Sequence, residues 1–186
     1  VDLKVQDDLT VTDDVAIGGD AAVTGAVTGG TINGVGINVI EAGSILVSND
    51  GGTGTISAAV RNTGFGFEVF DDLTSGDDNT GVGRKALTKL TTGGGNTAAG
   101  SGSLEATTTG DSNSGFGVSS LASNTTGTNN TGIGSAALGS NTTGSSNTAV
   151  GKGALDASTT GTRNVVMGVD AMTTATTGDD NVFIGY

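Results

Sequence analysis

Asparagine recurs every seventeen residues, at Asn62, Asn79, Asn96, Asn113, Asn130, Asn147, Asn164 and Asn181, and no other feature restricts the folding of this chain as much. Four positions after each stands a glycine: Gly66, Gly83, Gly100, Gly117, Gly134, Gly151, Gly168 and Gly185. A second glycine column runs Gly76, Gly93, Gly110, Gly127, Gly144, Gly161 and Gly178, and a threonine stands two residues before each of its members. Seven full units fill residues 62–180 without insertion or deletion, and an eighth begins at Asn181. A fixed period of this length marks a unit that cannot bury its own apolar face and must stack on its neighbours.

The apolar residues keep the same register. One column reads Phe65, Val82, Ala99, Phe116, Ile133, Val150, Met167 and Ile184; another reads Phe70, Leu87, Leu104, Leu121, Leu138, Leu155 and Met172. Two glycines and a Thr-rich pair per unit would cost a helix several kcal/mol, of order 1 kcal/mol per glycine. Short strands joined by turns fit instead, so each unit is predicted to be one coil of a β-solenoid. Coils about 4.8 Å apart place Asn over Asn, Thr over Thr and Leu over Leu. Stacked amides and hydroxyls can then bond from coil to coil, which gives the Asn and Thr columns a structural role. The glycine columns are expected to make the corners, and the Leu and Val/Ile/Phe columns the dry interior. Two large apolar side chains per coil supply only about 3–6 kcal/mol, less than the ordering entropy of the unit. Three chains around one axis would bury more, so a homotrimer is expected.

The first thirty residues obey another rule. Apolar pairs fall at Leu3/Val5, Leu9/Val11, Val15/Ile17 and Ala21/Val23, separated by Asp-Asp and Gly-Gly turn formers. Alternation within pairs six residues apart predicts very short strands stacked into a shaft, as in a triple-stranded β-helix. Residues 34–61 break both periods; Val39, Ile40, Ile45, Leu46 and Val47 suggest a strand pair, and Asn49-Asp50-Gly51-Gly52 a turn. The expected organisation is a six-residue-repeat shaft over 1–33, a junction over 34–61 and a solenoid over 62–186.

Composition narrows function by exclusion. The chain has no cysteine or histidine, which removes thiol nucleophiles, thiolate metal sites and the commonest general base. A net charge of −12 with only 7 Lys+Arg argues against nucleic acid, whose phosphates need clustered cations. No apolar run has the length of a membrane span. Gly151-Lys152 lacks the rest of a phosphate loop, and Gly64-Phe65-Gly66 the rest of a dinucleotide fingerprint. Asp77-Asp78 and Asp179-Asp180 could offer oxygens to Ca²⁺, but other units carry Gly94-Gly95 or Ser145-Ser146 at the same station, so solvated turns are the stronger reading. Arg84, Lys85 and Lys89 are read as surface decoration. No catalytic, cofactor-binding or metal-binding residue is expected, and the chain is read as no enzyme.

The stretch from Asn141 to Leu155, with its Asn147-Thr148-Ala149-Val150-Gly151 core, resembles the seventeen-residue Asn-Thr-Ala-x-Gly repeats of phage tail-fibre and related virion surface proteins. The same core is similar to the head repeats of trimeric autotransporter adhesins, which form parallel β-rolls. The likeness covers residues 62–186. It implies an elongated homotrimer serving as the shaft of a tail or head fibre on a virion, with other virion proteins and a host surface receptor as partners. The alternative it implies is a bacterial surface adhesin or self-assembling extracellular filament. The resemblance also implies a following chaperone segment that is cleaved after trimerisation. Because the sequence stops inside a repeat, a processed product or a piece of a longer fibre is expected.

Overall fold

A computed structural model describes the backbone of residues 31–32, 35–40 and 44–48, and residues 59–186 in full. Apart from Thr31–Ile32 the predicted hexad shaft lies outside the described residues, as does the turn expected at Asn49–Gly52. Over 59–186 the chain is a β-solenoid of about seven turns, all β and without helix among the described residues.

Each coil contributes one three-residue strand, beginning immediately after its asparagine. These are β4 (Thr63–Phe65), β5 (Thr80–Val82), β6 (Thr97–Ala99), β7 (Ser114–Phe116), β8 (Thr131–Ile133), β9 (Thr148–Val150), β10 (Val165–Met167) and β11 (Val182–Ile184). Each pairs in parallel with the next, Thr80 opposite Thr97 and Ile133 opposite Val150, so equivalent residues face each other. Ahead of them β1 (Thr31–Ile32), β2 (Val35–Ile40) and β3 (Ser44–Ser48) form an antiparallel meander. The last of these joins the stack in parallel, Val47 opposite Phe65. The strand pair expected in 34–61 is therefore present, and it is continuous with the solenoid sheet. Between strands the coils still bond to one another: Leu87 N donates to Ser103 O at 3.1 Å and Thr91 N to Thr108 O at 3.0 Å.

The asparagine column is the spine. Asn96 is buried; its backbone N–H and its side-chain amide both donate to Asn79 Oδ1, at 2.9 and 3.1 Å, and the amide also donates to Gly110 O at 2.8 Å. The same amide and backbone bonds recur down to Asn181. A buried amide of any other shape would leave donors unpaired at a cost of about 1–3 kcal/mol each. Threonine hydroxyls of the Thr91 column act differently: each donates to the backbone carbonyl of the equivalent threonine one coil on, as Thr125 Oγ1 does to Thr142 O at 3.0 Å.

Two expectations are corrected. The Leu87, Leu104, Leu121, Leu138 and Leu155 column is fully buried, but Phe65, Val82, Phe116, Ile133 and Met167 stand 41–47% exposed. In each strand from β4 to β10 the middle residue points inward and its neighbours outward, because side chains alternate along a strand. The inward column is Gly64, Gly81, Ala98, Gly115, Gly132, Ala149 and Val166, each of which is buried. The interior is thus thinner than expected and the Val/Ile/Phe column lies outside it.

The second correction concerns the glycines. The column from Gly66 to Gly168 does turn the chain at positive φ (130 to 146), as expected, but no glycine of the Gly76 to Gly178 column has positive φ. The other such corners are carried mostly by non-glycine residues, among them Lys85 (φ 60), Leu87 (φ 54), Asn129 (φ 58) and Asp180 (φ 58). Both glycine columns also answer to close approach between coils. A Cβ on Gly117, where φ is 134, would lie 2.6 Å from the carbonyl carbon of Gly134. On Gly110, a Cβ would sit 2.5 Å from Gly127 O, the carbonyl that receives the Asn113 amide. The leucine column accepts its left-handed backbone, worth about 1–2 kcal/mol of strain per residue, and the burial of each leucine side chain offsets it by about 1.5–3 kcal/mol.

Packing inside is matched coil by coil. Ser103 Oγ donates to Gly115 O at 3.0 Å and Ser120 Oγ to Gly132 O at 2.8 Å; a Cβ on either glycine would lie within 2.6 Å of that hydroxyl. Where the first partner is Ala86 or Ala137, the inward strand residue one coil later is Ala98 or Ala149. A serine hydroxyl and an alanine methyl are therefore alternatives for one space.

Candidate interaction face

The outward faces of β4–β11 make one continuous surface, since the strands pair in parallel from each coil to the next. Its apolar ridge follows from the strand pleat and the parallel register: the third strand residue of every coil, from Phe65 to Ile184, points out and stacks on its equivalent. Two residues further on, beyond the glycine, a second column adds the exposed Phe67, Val118, Val169 and Tyr186, interspersed with the polar Arg84, Ser101, Ser135 and Lys152. At about 4.8 Å per coil the ridge is roughly 34 Å long. Contiguous apolar surface on this scale marks an interaction site.

The other surfaces are polar and engaged within the stack. Lys85 Nζ lies 3.4 Å from Glu68 and 3.7 Å from Glu105, joining three consecutive coils. At the Asp-Asp turns Asp77 Oδ1 accepts from Val60 N at 2.8 Å and Asp179 Oδ1 from Thr162 N at 2.7 Å. Their neighbours Asp78 and Asp180 pair with Arg61 and Arg163 one coil earlier, at 2.7 and 2.8 Å to Nη2. Hydrogen bonds from these guanidiniums hold both carboxyls below the usual aspartate range and raise the two arginines in turn. The carboxylates at these turns thus accept from backbone amides and arginines seventeen residues earlier in the chain. Among the described residues no group of His, Cys, Asp or Glu could hold a metal, and no helix is long and apolar enough to cross a membrane.

The residues singled out from sequence fall into two sets. Asn62 through Asn164, Gly66 through Gly168 and the five leucines form continuous columns inside the stack or at its coil-to-coil contacts. The asparagines and leucines stay off the exposed face, whereas the half-buried Gly66 column runs between its two exposed columns. That face is made by residues that sequence reasoning places in the interior, and the signal that could have found it is the Gly or Ala at the middle of nearly every strand. Such small residues leave no room for a second large apolar column on the inner side.

Comparison with family models, with curated proteins and with solved structures finds no match for this chain.

Proposed function

We propose that this chain is a structural shaft: a stiff, non-catalytic rod within a homotrimeric virion fibre of the tail- or head-fibre kind, holding a host-recognition element away from the particle. The observation that carries the reading is the apolar ridge from Phe65 to Ile184, exposed in most coils and half-buried at Ala99 and Val150, on a solenoid whose asparagine, threonine and leucine columns are satisfied internally. Three copies set parallel around one axis bury that ridge layer against layer, and identical coils meet at each level. The rod itself resists bending because each coil is joined to the next by the asparagine spine and by backbone bonds around its circumference. The rest of the reading rests on the repeat's likeness to fibre sequences.

Light scattering on the full chain, with gel migration before and after boiling, tests it. A trimer resistant to detergent until heated is the expected result. Replacing Phe116 and Ile133 together by Glu should give monomers that keep their β circular-dichroism spectrum, because both side chains point outward. A wild-type monomer at micromolar concentration would overturn the trimeric shaft.

A further inference from the structure

Inside the coils, beside the leucine column, one buried station changes its chemistry along the rod. It reads Leu73 and Leu90 in the first two coils, then Thr107, Asn124, Asn141 and Ser158, all buried. The two asparagines form a short second ladder. Asn124 donates its amide to Gly127 O at 3.0 Å; Asn141 donates to Gly144 O at 3.0 Å and to Asn124 Oδ1 at 2.8 Å. Each amide nitrogen therefore closes its own coil, and in Asn141 it also links back to the coil before. At the next coil the pattern fails. Asn141 Oδ1 and Ser158 Oγ, which face each other across adjacent coils of the station, are buried without any hydrogen-bond partner, as is Thr107 Oγ1 in the third coil.

The geometry shows which atom is missing. A Cβ built on Gly144 would meet Asn141 Oδ1, and one built on Gly161 would meet Ser158 Oγ at 2.8 Å. Ser158 Oγ thus occupies the station of an asparagine oxygen. What the serine lacks is the amide nitrogen that would donate to Asn141 Oδ1 and to Gly161 O.

We infer that a single buried water molecule occupies this station between the fifth and sixth coils. It donates one hydrogen to Asn141 Oδ1 and the other to Gly161 O, and accepts the Ser158 hydroxyl proton. Three hydrogen bonds are the usual complement of a buried water, and one water needs little more room than an amide group leaves. Without it two polar groups would stand unpaired in the interior, each at a cost that native proteins seldom carry. A cation fits less well, since no carboxylate is among these groups and the hydroxyl must donate rather than receive.

Two substitutions in the full chain test the assignment through the sign of the change in Tm. Ser158→Ala removes one of the three bonds to the water, so Tm should fall by roughly 2–4 °C. If the hydroxyl is in fact unpaired and the site dry, the same substitution removes a penalty and Tm rises, which overturns the inference. Ser158→Asn supplies the missing nitrogen; Tm should hold or rise. A crystal structure at high resolution should show a density peak within hydrogen-bond distance of Asn141 Oδ1, Gly161 O and Ser158 Oγ, and no peak in Ser158→Asn. An empty site in the wild type, or a water retained at the same place in the Ser158→Asn variant, refutes it.

Discussion

The first two coils and the fourth to sixth share one backbone course and differ in what fills it. In the first two, Leu73 and Leu90 sit inside beside Phe70 and Leu87, and no polar side chain shares that station. In the later coils the station holds Asn124, Asn141 and Ser158, and the leucine column alone supplies large apolar volume. The asparagine spine, both glycine columns and the register of the strands are the same in both regions. The frame is therefore set by coil-to-coil hydrogen bonding and close backbone approach, and the remaining interior can be apolar or polar provided that each coil suits its neighbour.

The largest expected effect comes from breaking the part common to both regions. Gly117→Ala forces a Cβ into the Gly134 carbonyl group at a backbone angle that L-residues avoid. A loss of about 4 kcal/mol or more, exceptional for one methyl group, should appear in a circular-dichroism melt. Next come the two exchanges of interior character. Leu90→Asn buries an amide with leucine on one side and Thr107 on the other, and should cost about 3 kcal/mol through cavity and unpaired groups together. The reverse exchange, Asn124→Leu, removes the bonds to Asn141 and to Gly127 O, but Asn141 keeps Gly144 O and Gly127 O keeps the Asn113 amide while apolar volume is added, so it should cost about 1 kcal/mol. Equal losses in denaturant titrations of the two variants would show that the regions do not differ in the way described.

A finer comparison concerns the serine–glycine and alanine–alanine pairs. Gly132→Ala alone should lose about 1–3 kcal/mol by overpacking against Ser120. Adding Ser120→Ala converts the pair to the kind found at Ala137 and Ala149, and should recover about 1 kcal/mol of it in a double-mutant cycle. Strict additivity would count against the shared space.

The smallest effect is electrostatic and lies at both ends of the solenoid. Asp78 and Asp180 have carboxyls held below their unfolded range by Arg61 and Arg163. A depressed carboxyl stabilises the folded state above its unfolded pKa, and that contribution fades as pH falls through the folded value. Acid should therefore weaken the first and last coils slightly. Both pairs are exposed, so added salt should screen much of the effect. Melts of Arg163→Gln should show less acid dependence than wild type; an unchanged profile would remove the pair from the account.

Much of this architecture was legible in the repeat. A period with no insertion, two fixed glycines and a fixed asparagine can be satisfied by stacked coils and by little else, and the asparagine bonds follow from placing Asn62 over Asn79. The glycines' reason was harder to read, since turn geometry and close approach select the same residue. Leu87 and its equivalents at positive φ could not have been foreseen, because leucine has no local preference for that backbone and adopts it only where burial outweighs the strain. The outward ridge was misplaced for a related reason: Val82 and Leu87 are equally apolar, and composition does not say which side of a pleat a residue occupies.

By itself, then, the sequence determined the unit, the axial register and the identity of what stacks on what, since those depend only on repetition and on the hydrogen-bonding capacity of each residue type. Which columns face inward was decided by tertiary structure. The direction of a side chain depends on where the strand begins relative to the corners before and after it, and those corners are fixed only when a coil closes against its neighbours. Closure left the small residues inside, the leucines beside them, and a row of Phe, Val, Ile and Met on the surface.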